Sequence, residues 1–160
     1  KDIETFTIKA MILHETIPGH HLQLSYETHS GNNPTLLGCW YSIILNGNAE
    51  GWALFAEKLA PNYTDLELLG VLTFNMLRTL RIIGDIAIHY IGVEPQKVIN
   101  IYNKNLIMNE TCIKSEIYRY ICQPGQALCY KLGDNVIRHI VDKIPIEDHD
   151  KFYLDFITDT

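Results

Sequence analysis

The sequence feature that most constrains the fold is one long helical pattern that runs from Asp65 to about Ile91. Its residues are apolar on nearly every side of the helix, and Gly92 follows as a closing residue. A helix that is apolar all round needs neighbours to cover it, so we expect this one to be buried among other helices. Asp65 is a plausible N-terminal cap, because an aspartate side chain accepts hydrogen bonds from the first amides of a helix.

Helical spacing also dominates the rest of the chain, and neither a hairpin signature nor an alternating strand pattern is found. Pro95 is expected to start a helix, Asn109 to cap the following one, and Pro124 to open the next. Further helices are predicted over residues 6–17, 18–28 and 49–59 and within 145–160, with a loop at 30–34, an apolar segment at 36–45 and a break at 46–48. The predicted fold class is therefore all-α, as a single helical domain over residues 1–160.

Composition excludes several classes of protein. A chain of 160 residues, 47% of them hydrophobic, can bury its own core. The net charge is −6 and the 13 basic residues are scattered, which argues against a nucleic-acid partner. No apolar run is long enough for a membrane-spanning helix. The cysteines show no zinc-ribbon spacing and are interpreted as reduced thiols. They are Cys39, Cys112, Cys122 and Cys129.

The start of the chain bears on where the protein acts. The sequence begins at Lys1 rather than at a methionine, so we expect a piece of a longer protein. No signal peptide is recognised in these residues, and we expect the compartment to be the cytoplasm.

The sharpest local pattern is HETIPGHH, residues 14–21. It begins like the zinc-peptidase motif HExxH, in which two histidines one turn apart hold zinc and the glutamate acts as general base. Here the position four after His14 is Pro18, which cannot bind a metal. On a regular helix His20 and His21 would lie about 9 and 10.5 Å along the axis from His14, too far to share an ion.

The residues that spoil this spacing can also repair it. Pro18 interrupts helical hydrogen bonding, and Gly19 tolerates backbone dihedrals that other residues avoid. A local break at these two residues can bring His20 back toward His14. The spacing leaves two interpretations open, a metal site of the form HExxPGH or a helix end with incidental histidines.

A second pattern is AEGWALFAE, which places Glu50 and Glu57 on one face of an otherwise apolar helix. A carboxylate on such a helix needs a partner, and a metal ion or a buried arginine would serve. Glu50 is a reasonable third metal ligand from a following helix. Both glutamates can also be solvated surface residues, Glu57 more readily than Glu50.

The long helix carries a polar stripe on its apolar background. Arg78, Arg81, Asp85 and His89 fall at helical spacing along a single line. Buried ionisable groups are costly unless they are paired, so the stripe either lines a site or neutralises itself in helix packing.

A fourth pattern combines aromatic and basic residues near Arg119. The segment Tyr118-Arg119-Tyr120 is followed by Pro124-Gly125 and then by Tyr130. Tyrosine and arginine are the donors expected around a developing oxyanion or a substrate carboxylate.

Taken in order, four segments resemble the motifs of a large, mostly bacterial family known as domain of unknown function 885. They are HETIPGHHLQ, EGWALFAE, LRIIGDIAIHYIGV and YRYICQPGQALCYKLG, and they cover the chain from about His14 to Gly133. The family is grouped with the helical, HExxH-type gluzincin metallopeptidases, usually described as zinc peptidases or carboxypeptidases. The resemblance implies an all-α, gluzincin-type catalytic fragment with a broken HExxPGH helix.

The resemblance also implies roles for individual residues. His14, His20 and Glu50 would be the zinc ligands, and Glu15 would polarise the attacking water. His20 is preferred to His21 because the PGH triplet is the fixed part of the family pattern.

A further group would lie near the peptide substrate and stabilise the tetrahedral intermediate, and Asp85 would orient a histidine. That group is His89, Arg119, Tyr120 and Tyr130.

Family members are several hundred residues long, and this chain resembles only their C-terminal part. We therefore expect a missing N-terminal region or a partner chain to complete the substrate cleft. The predicted function is zinc-dependent hydrolysis of peptide bonds. One alternative is an inactive remnant that serves as a helical binding module. The other is a structural metal site closed by His21 or His89 as a fourth ligand.

Overall fold

A computed structural model describes residues 5–30, 43–59 and 62–158, and this part of the chain is helical without any strand. The described residues form eight α-helices: α1 (Ile8–Glu15), α2 (His20–Ser30), α3 (Ile43–Ala56), α4 (Asp65–Ile86), α5 (Pro95–Asn105), α6 (Glu110–Cys122), α7 (Cys129–Val141) and α8 (His149–Thr158). Short helical turns at Thr5–Thr7, Gln126–Leu128 and Ile146–Asp148 precede α1, α7 and α8. The all-α prediction is confirmed.

Most predicted helix boundaries hold within a few residues. Pro95 opens α5, and the side chain of Asn109 caps α6 by accepting the amide of Cys112. Helix α7 begins at Cys129, five residues after Pro124, which was expected to open it. The predicted loop beyond Ser30, the apolar segment up to residue 42 and Cys39 lie outside the described residues.

The cap of α4 is Thr64 rather than the predicted Asp65. The Thr64 hydroxyl accepts the amide of Glu67, and the Glu67 carboxylate accepts the amide of Thr64 at 2.8 Å. This reciprocal capping box satisfies amides at the helix start that have no partner inside the helix. At the other end a wider turn, Ala87–Ile91, continues α4, and Gly92 closes it with a left-handed φ of 76°.

Helix α4 is buried on one side only, so the expectation that it is covered all round is wrong. A stripe of apolar side chains at helical spacing is between 39% and 54% exposed. The stripe consists of Leu68, Leu72, Met76, Ile83 and Ile86. The partners of α4 within the described chain, which include α1, α5, α6 and α7, lie against its other face. That face carries Arg78, Arg81 and Asp85, all buried.

Two apolar clusters hold the helices together. The first joins α4, α5 and α6 through buried residues such as Leu80, Tyr102 and Ile117. The second joins α3, α7 and α8 through residues such as Trp52 and Ile137. Helix α1 contacts α2, α3 and α4, and α7 contacts both α3 and α4. This junction positions the polar residues described below.

Helix α3 runs without interruption through Asn46–Asn48, where a break was predicted. Glycines in α3 and α7 permit a close crossing of the two helices. A Cβ on Gly51 would lie 2.5 Å from the Cα of Gly133, and a Cβ on Gly133 would lie 2.0 Å from the carbonyl oxygen of Gly47. Only glycine lets the two backbones approach this closely.

None of the helices in the described part of the chain has the length and apolar character needed to cross a membrane.

Candidate metal centre

Three side chains from three helices converge on one point. His14 lies in the last turn of α1, His20 is the first residue of α2, and Glu50 lies in the middle of α3. One potential ligand atom from each lies within 4.8 Å of the others. The three predicted metal ligands are therefore adjacent in the fold.

The turn between α1 and α2 brings the two histidines together. Helix α1 ends at Glu15 and α2 starts at His20, so the helix is broken where Pro18 and Gly19 predict a break. A Cβ on Gly19 would lie 1.9 Å from the carbonyl oxygen of His14, so the chain folds back over the end of α1 only because this residue is glycine. The indole of Trp52 donates a 2.9 Å hydrogen bond to the Pro18 carbonyl and fixes the turn to α3.

The distances from the two histidines to Glu50 fit the ligand spacing of a small tetrahedral cation. Nε2 of His14 lies 3.5 Å from Oε2 of Glu50, and Nε2 of His20 lies 3.4 Å from the same oxygen. Zinc bonds of about 2.0–2.1 Å place neighbouring ligand atoms about 3.3 Å apart. Oε2 of Glu50 is buried and has no hydrogen-bond partner within the described chain. An unsatisfied buried carboxylate oxygen facing two imidazole nitrogens is a donor set suited to zinc.

Glu57 contacts Nδ1 of His14, the ring nitrogen that does not face Glu50. The sequence left open whether Glu57 is a buried carboxylate with a partner or a solvated surface residue, and the structure shows the first. Its side chain is fully buried, and Oε1 lies 2.9 Å from Nδ1 of His14. The same oxygen accepts a 3.2 Å hydrogen bond from Nη2 of Arg78. With the proton of His14 on Nδ1, Nε2 is left as the acceptor that faces Glu50.

These contacts shift two ionisation equilibria in the metal-free site. Burial lowers the pKa of His14, but the contacts with Glu50 and Glu57 outweigh burial, so the pKa is raised above its usual value. Burial likewise raises the pKa of Glu50, but the contacts with His14 and then His20 hold it well below the usual range of a carboxyl group. The carboxylate of Glu50 is therefore ionised and available as a ligand.

Tyr130 connects the candidate metal centre to two arginines. Its ring is nearly parallel to that of His14, with the ring centroids 6.4 Å apart. The Arg81 guanidinium stacks over the Tyr130 ring with Cζ 4.3 Å from the centroid, and Cζ of Arg119 lies 6.0 Å from it. Tyr130 thus packs beside the ligand His14, and Arg119 lies beside Tyr130.

Glu116, which the sequence did not single out, organises this arginine pair. Its Oε2 atom accepts hydrogen bonds from Nε of Arg81 at 3.1 Å, Nη2 of Arg119 at 3.0 Å and the hydroxyl of Tyr120 at 2.9 Å. Burial raises the pKa of Glu116, but the charges of Arg81 and Arg119 outweigh it and hold the pKa below its usual value. The available signal was helical spacing, because Glu116 precedes Arg119 by three residues and Tyr120 by four.

Asp85, His89 and Tyr120 make their contacts away from the three ligands. Tyr120 is buried with its hydroxyl on Glu116, and its carbonyl accepts a 2.9 Å hydrogen bond from Nε2 of the exposed His89. Asp85 accepts the amide of Gly125 at 3.0 Å, so it orients this loop and not a histidine as expected. The structure places neither His89 nor Tyr120 in contact with the three ligands.

Glu15 and His21 are exposed beside the ligands that they follow in sequence, His14 and His20. His21 is not a member of the ligand cluster, which has three members among the described residues. Metal sites with three protein ligands keep a position open for water, whereas structural zinc sites are closed by four. Among the described residues the cluster has three ligands, as in the open kind, and Glu15 is exposed.

The fold and the site define a helical domain with a two-histidine, one-glutamate ligand cluster. The chain belongs to the family described as "Bacterial protein of unknown function (DUF885)", which matches residues 1–155. The resemblance seen in the four sequence motifs is thereby confirmed.

The chain is also similar to a solved structure, "The crystal structure of the putative lipoprotein from Colwellia psychrerythraea". The TM-score is 0.82 and the sequences are 30% identical. The similarity covers 94% of this chain but only 26% of that one. No curated protein matches the chain.

Proposed function

We propose that this domain is the metal-bearing part of a zinc-dependent peptidase that hydrolyses peptide bonds with an activated water. The observation that carries the proposal is the cluster of His14, His20 and Glu50, in which a buried carboxylate oxygen faces two imidazole nitrogens. Two histidines and one glutamate are the ligand set of a well-known class of zinc peptidases.

The ligands of the metal are held by groups behind them. Glu57 keeps His14 in the tautomer that presents Nε2, and Arg78 balances the charge of Glu57. Zinc, when bound, supplies Lewis acidity that lowers the pKa of water and polarises a carbonyl group.

Glu15 is the proposed general base. It follows His14 directly, and its side chain is exposed at the end of α1. An exposed carboxylate can accept a proton from a water molecule without first breaking a buried ion pair. In this role Glu15 takes a proton from the attacking water and passes it to the leaving amine.

Tyr130 and Arg119 are the proposed donors to the oxygen that becomes negative as the peptide carbonyl is attacked. The Tyr130 ring packs against the His14 ring, and Arg119 lies beside the Tyr130 ring. Preformed donors in a partly dry site stabilise such an oxyanion strongly. Tyr120 acts through Glu116, which its hydroxyl and Arg119 share, and His89 supports the backbone of Tyr120.

The proposed peptide cleft needs a second wall. The chain spans 26% of the length of the structure it resembles, and an apolar face of α4 is exposed. We propose that a region outside these residues, or a partner chain, supplies that wall. The activity is therefore proposed for the protein that contains this domain.

Hydrolysis of a mixed peptide library, followed by mass spectrometry, tests the proposal. The zinc-loaded protein should cleave peptides, a chelator should abolish cleavage, and added zinc should restore it. Glu15→Gln should lose cleavage and keep its zinc, while Glu94→Gln, a change at another exposed glutamate, should behave as wild type. Cleavage that persists at full rate with the chelator, or in Glu15→Gln, would contradict the proposed mechanism.

A further inference from the structure

A cavity of about 490 Å³ opens between α3, α7 and α8. Its walls are formed chiefly by aliphatic and aromatic side chains and by bare glycine backbone. They include Leu128, Leu132, Val136, Ile137 and Phe156, with Gly47 on the α3 side. A cavity of this size and lining suits an apolar group of a small ligand.

Residues of the cavity wall lie on the same two helices that carry Glu50 and Tyr130. Gly47 lies one helical turn before Glu50 on α3, and Cys129 of the cavity wall precedes Tyr130 on α7. Because the crossing at Gly51 and Gly133 fixes α3 against α7, the cavity and the ligand cluster have a set spacing.

Gly47 keeps the α3 wall of the cavity open. Among the residues that the structure describes, none has a heavy atom within 4 Å of a Cβ built on Gly47. A side chain at this position would therefore enter open space, unlike one at Gly51 or Gly133. The absence of a side chain at Gly47 keeps this part of the cavity wall open.

We propose that this cavity binds an apolar side chain of the peptide substrate beside the bond that is cleaved. The inference rests on the proposed function, because it places the side-chain subsite next to the peptidase centre. It names the substrate class more closely: peptides with a large aliphatic or aromatic residue near the scissile bond. Burial of that side chain supplies binding energy, and the helix crossing aligns the bond with the metal ligands.

Binding of two matched pentapeptides tests the inference without requiring hydrolysis. The peptides are four alanines around a central leucine, or around a central asparagine of similar size. Dissociation constants are measured by calorimetry on the whole protein in the presence of a chelator. Wild type should bind the leucine peptide at least about tenfold more tightly than the asparagine peptide, because only leucine gains from the apolar cavity.

Two pairs of variants locate the site. Gly47→Phe should remove the preference for leucine by filling the cavity, while Gly47→Ala should keep most of it. Val136→Asp, which places a charge on an exposed part of the wall, should also remove it, whereas Leu72→Asp on exposed α4 should not. Circular dichroism and the melting temperature confirm that each variant is folded.

The outcomes separate this inference from the proposed function. Loss of leucine preference in folded Gly47→Phe and Val136→Asp supports the cavity even if the wild type cleaves nothing. The inference that the cavity binds a substrate side chain would be overturned if wild type bound the two peptides equally. It would also be overturned if both folded variants kept the leucine preference. Neither result would decide whether the protein is a peptidase.

Discussion

Nδ1 of His14 lies 2.9 Å from Oε1 of the fully buried Glu57. Glu57 follows the proposed ligand Glu50 by seven residues on the same chain segment. One segment therefore supplies both a metal ligand and the carboxylate that orients another ligand. This explains why a glutamate tolerates complete burial at position 57: it is matched by His14 on one side and Arg78 on the other.

Replacing Glu57 by glutamine should weaken metal binding. An amide does not hold His14 as strongly as a carboxylate, and loss of such a partner typically costs about 10–100-fold in metal affinity. It should also lower stability by roughly 3–5 kcal/mol, because Arg78 loses its buried partner. A zinc competition assay and urea unfolding measure the two effects, with Glu94→Gln as control. An unchanged zinc affinity in the folded variant would contradict the role given to Glu57.

Replacing Glu116 by glutamine should lower the rate of peptide hydrolysis and leave the zinc content unchanged. Glu116 holds Arg81, Arg119 and Tyr120, and a misplaced donor can cost about 100-fold in rate. The loss should appear mainly in kcat. Glu110→Gln, at an exposed position on the same helix, is the matched control. Wild-type kcat in Glu116→Gln would show that this network does not serve the reaction.

The crossing of α3 and α7 predicts opposite effects for two glycine substitutions on one helix. Gly51→Ala forces a methyl group against the backbone of Gly133 and should destabilise the fold by about 1–3 kcal/mol. Gly47→Ala meets no described atom and should stabilise helix α3 by about 0.5–1 kcal/mol. Thermal unfolding of the two variants side by side measures the difference; equal melting temperatures would contradict the crossing.

The buried carboxylate of Asp134 should make the stability of the folded protein depend on pH. Its side chain is fully buried, and burial raises its pKa, but the hydrogen bond from Lys131 and the charges of Lys58 and Arg138 outweigh burial. Because the pKa is lowered in the folded state, the ionised carboxylate stabilises the protein above about pH 3.9, and this contribution is lost as the pH falls through the folded-state pKa.

Asp134→Asn should therefore be less stable than wild type at pH 7, by about 1.5–3 kcal/mol, because three cations lose a charged partner. Urea unfolding at a series of pH values should show the two proteins converging as the pH falls below 4. A gap that stays constant down to pH 2 would mean that the charge of Asp134 is not what stabilises the fold.

Local features of the sequence predicted the break that brings the two histidines together, whereas the full set of His14, His20 and Glu50 was implied by the family resemblance. Pro18 and Gly19 dictate a break after α1, and the apolar background of α3 marks Glu50 as a carboxylate in need of a partner. Asn109 and Gly92 likewise acted as local signals for a helix start and a helix end. Such features depend on neighbours a few residues away, which a single sequence displays.

Features that depend on long-range packing were missed or misjudged. The segment around Gly47 was interpreted as a helix break, but α3 continues through it, and the glycine that the crossing requires is Gly51, against Gly133 far along the chain. Glu116 gave little sign of its contacts because Arg81 comes from another helix. The apolar stripe through Leu72 and Met76 was expected to be covered, yet the described part of the chain packs against the opposite face of α4.

The most direct test of the central claim is the zinc content of purified protein, measured by mass spectrometry on wild type and on two single variants. The account predicts about one zinc ion per wild-type chain. His20→Ala should lose it, and His21→Ala, a change at the exposed neighbouring histidine, should retain it. Wild type without bound zinc after incubation with the metal, or loss of zinc from His21→Ala but not from His20→Ala, would contradict the assignment.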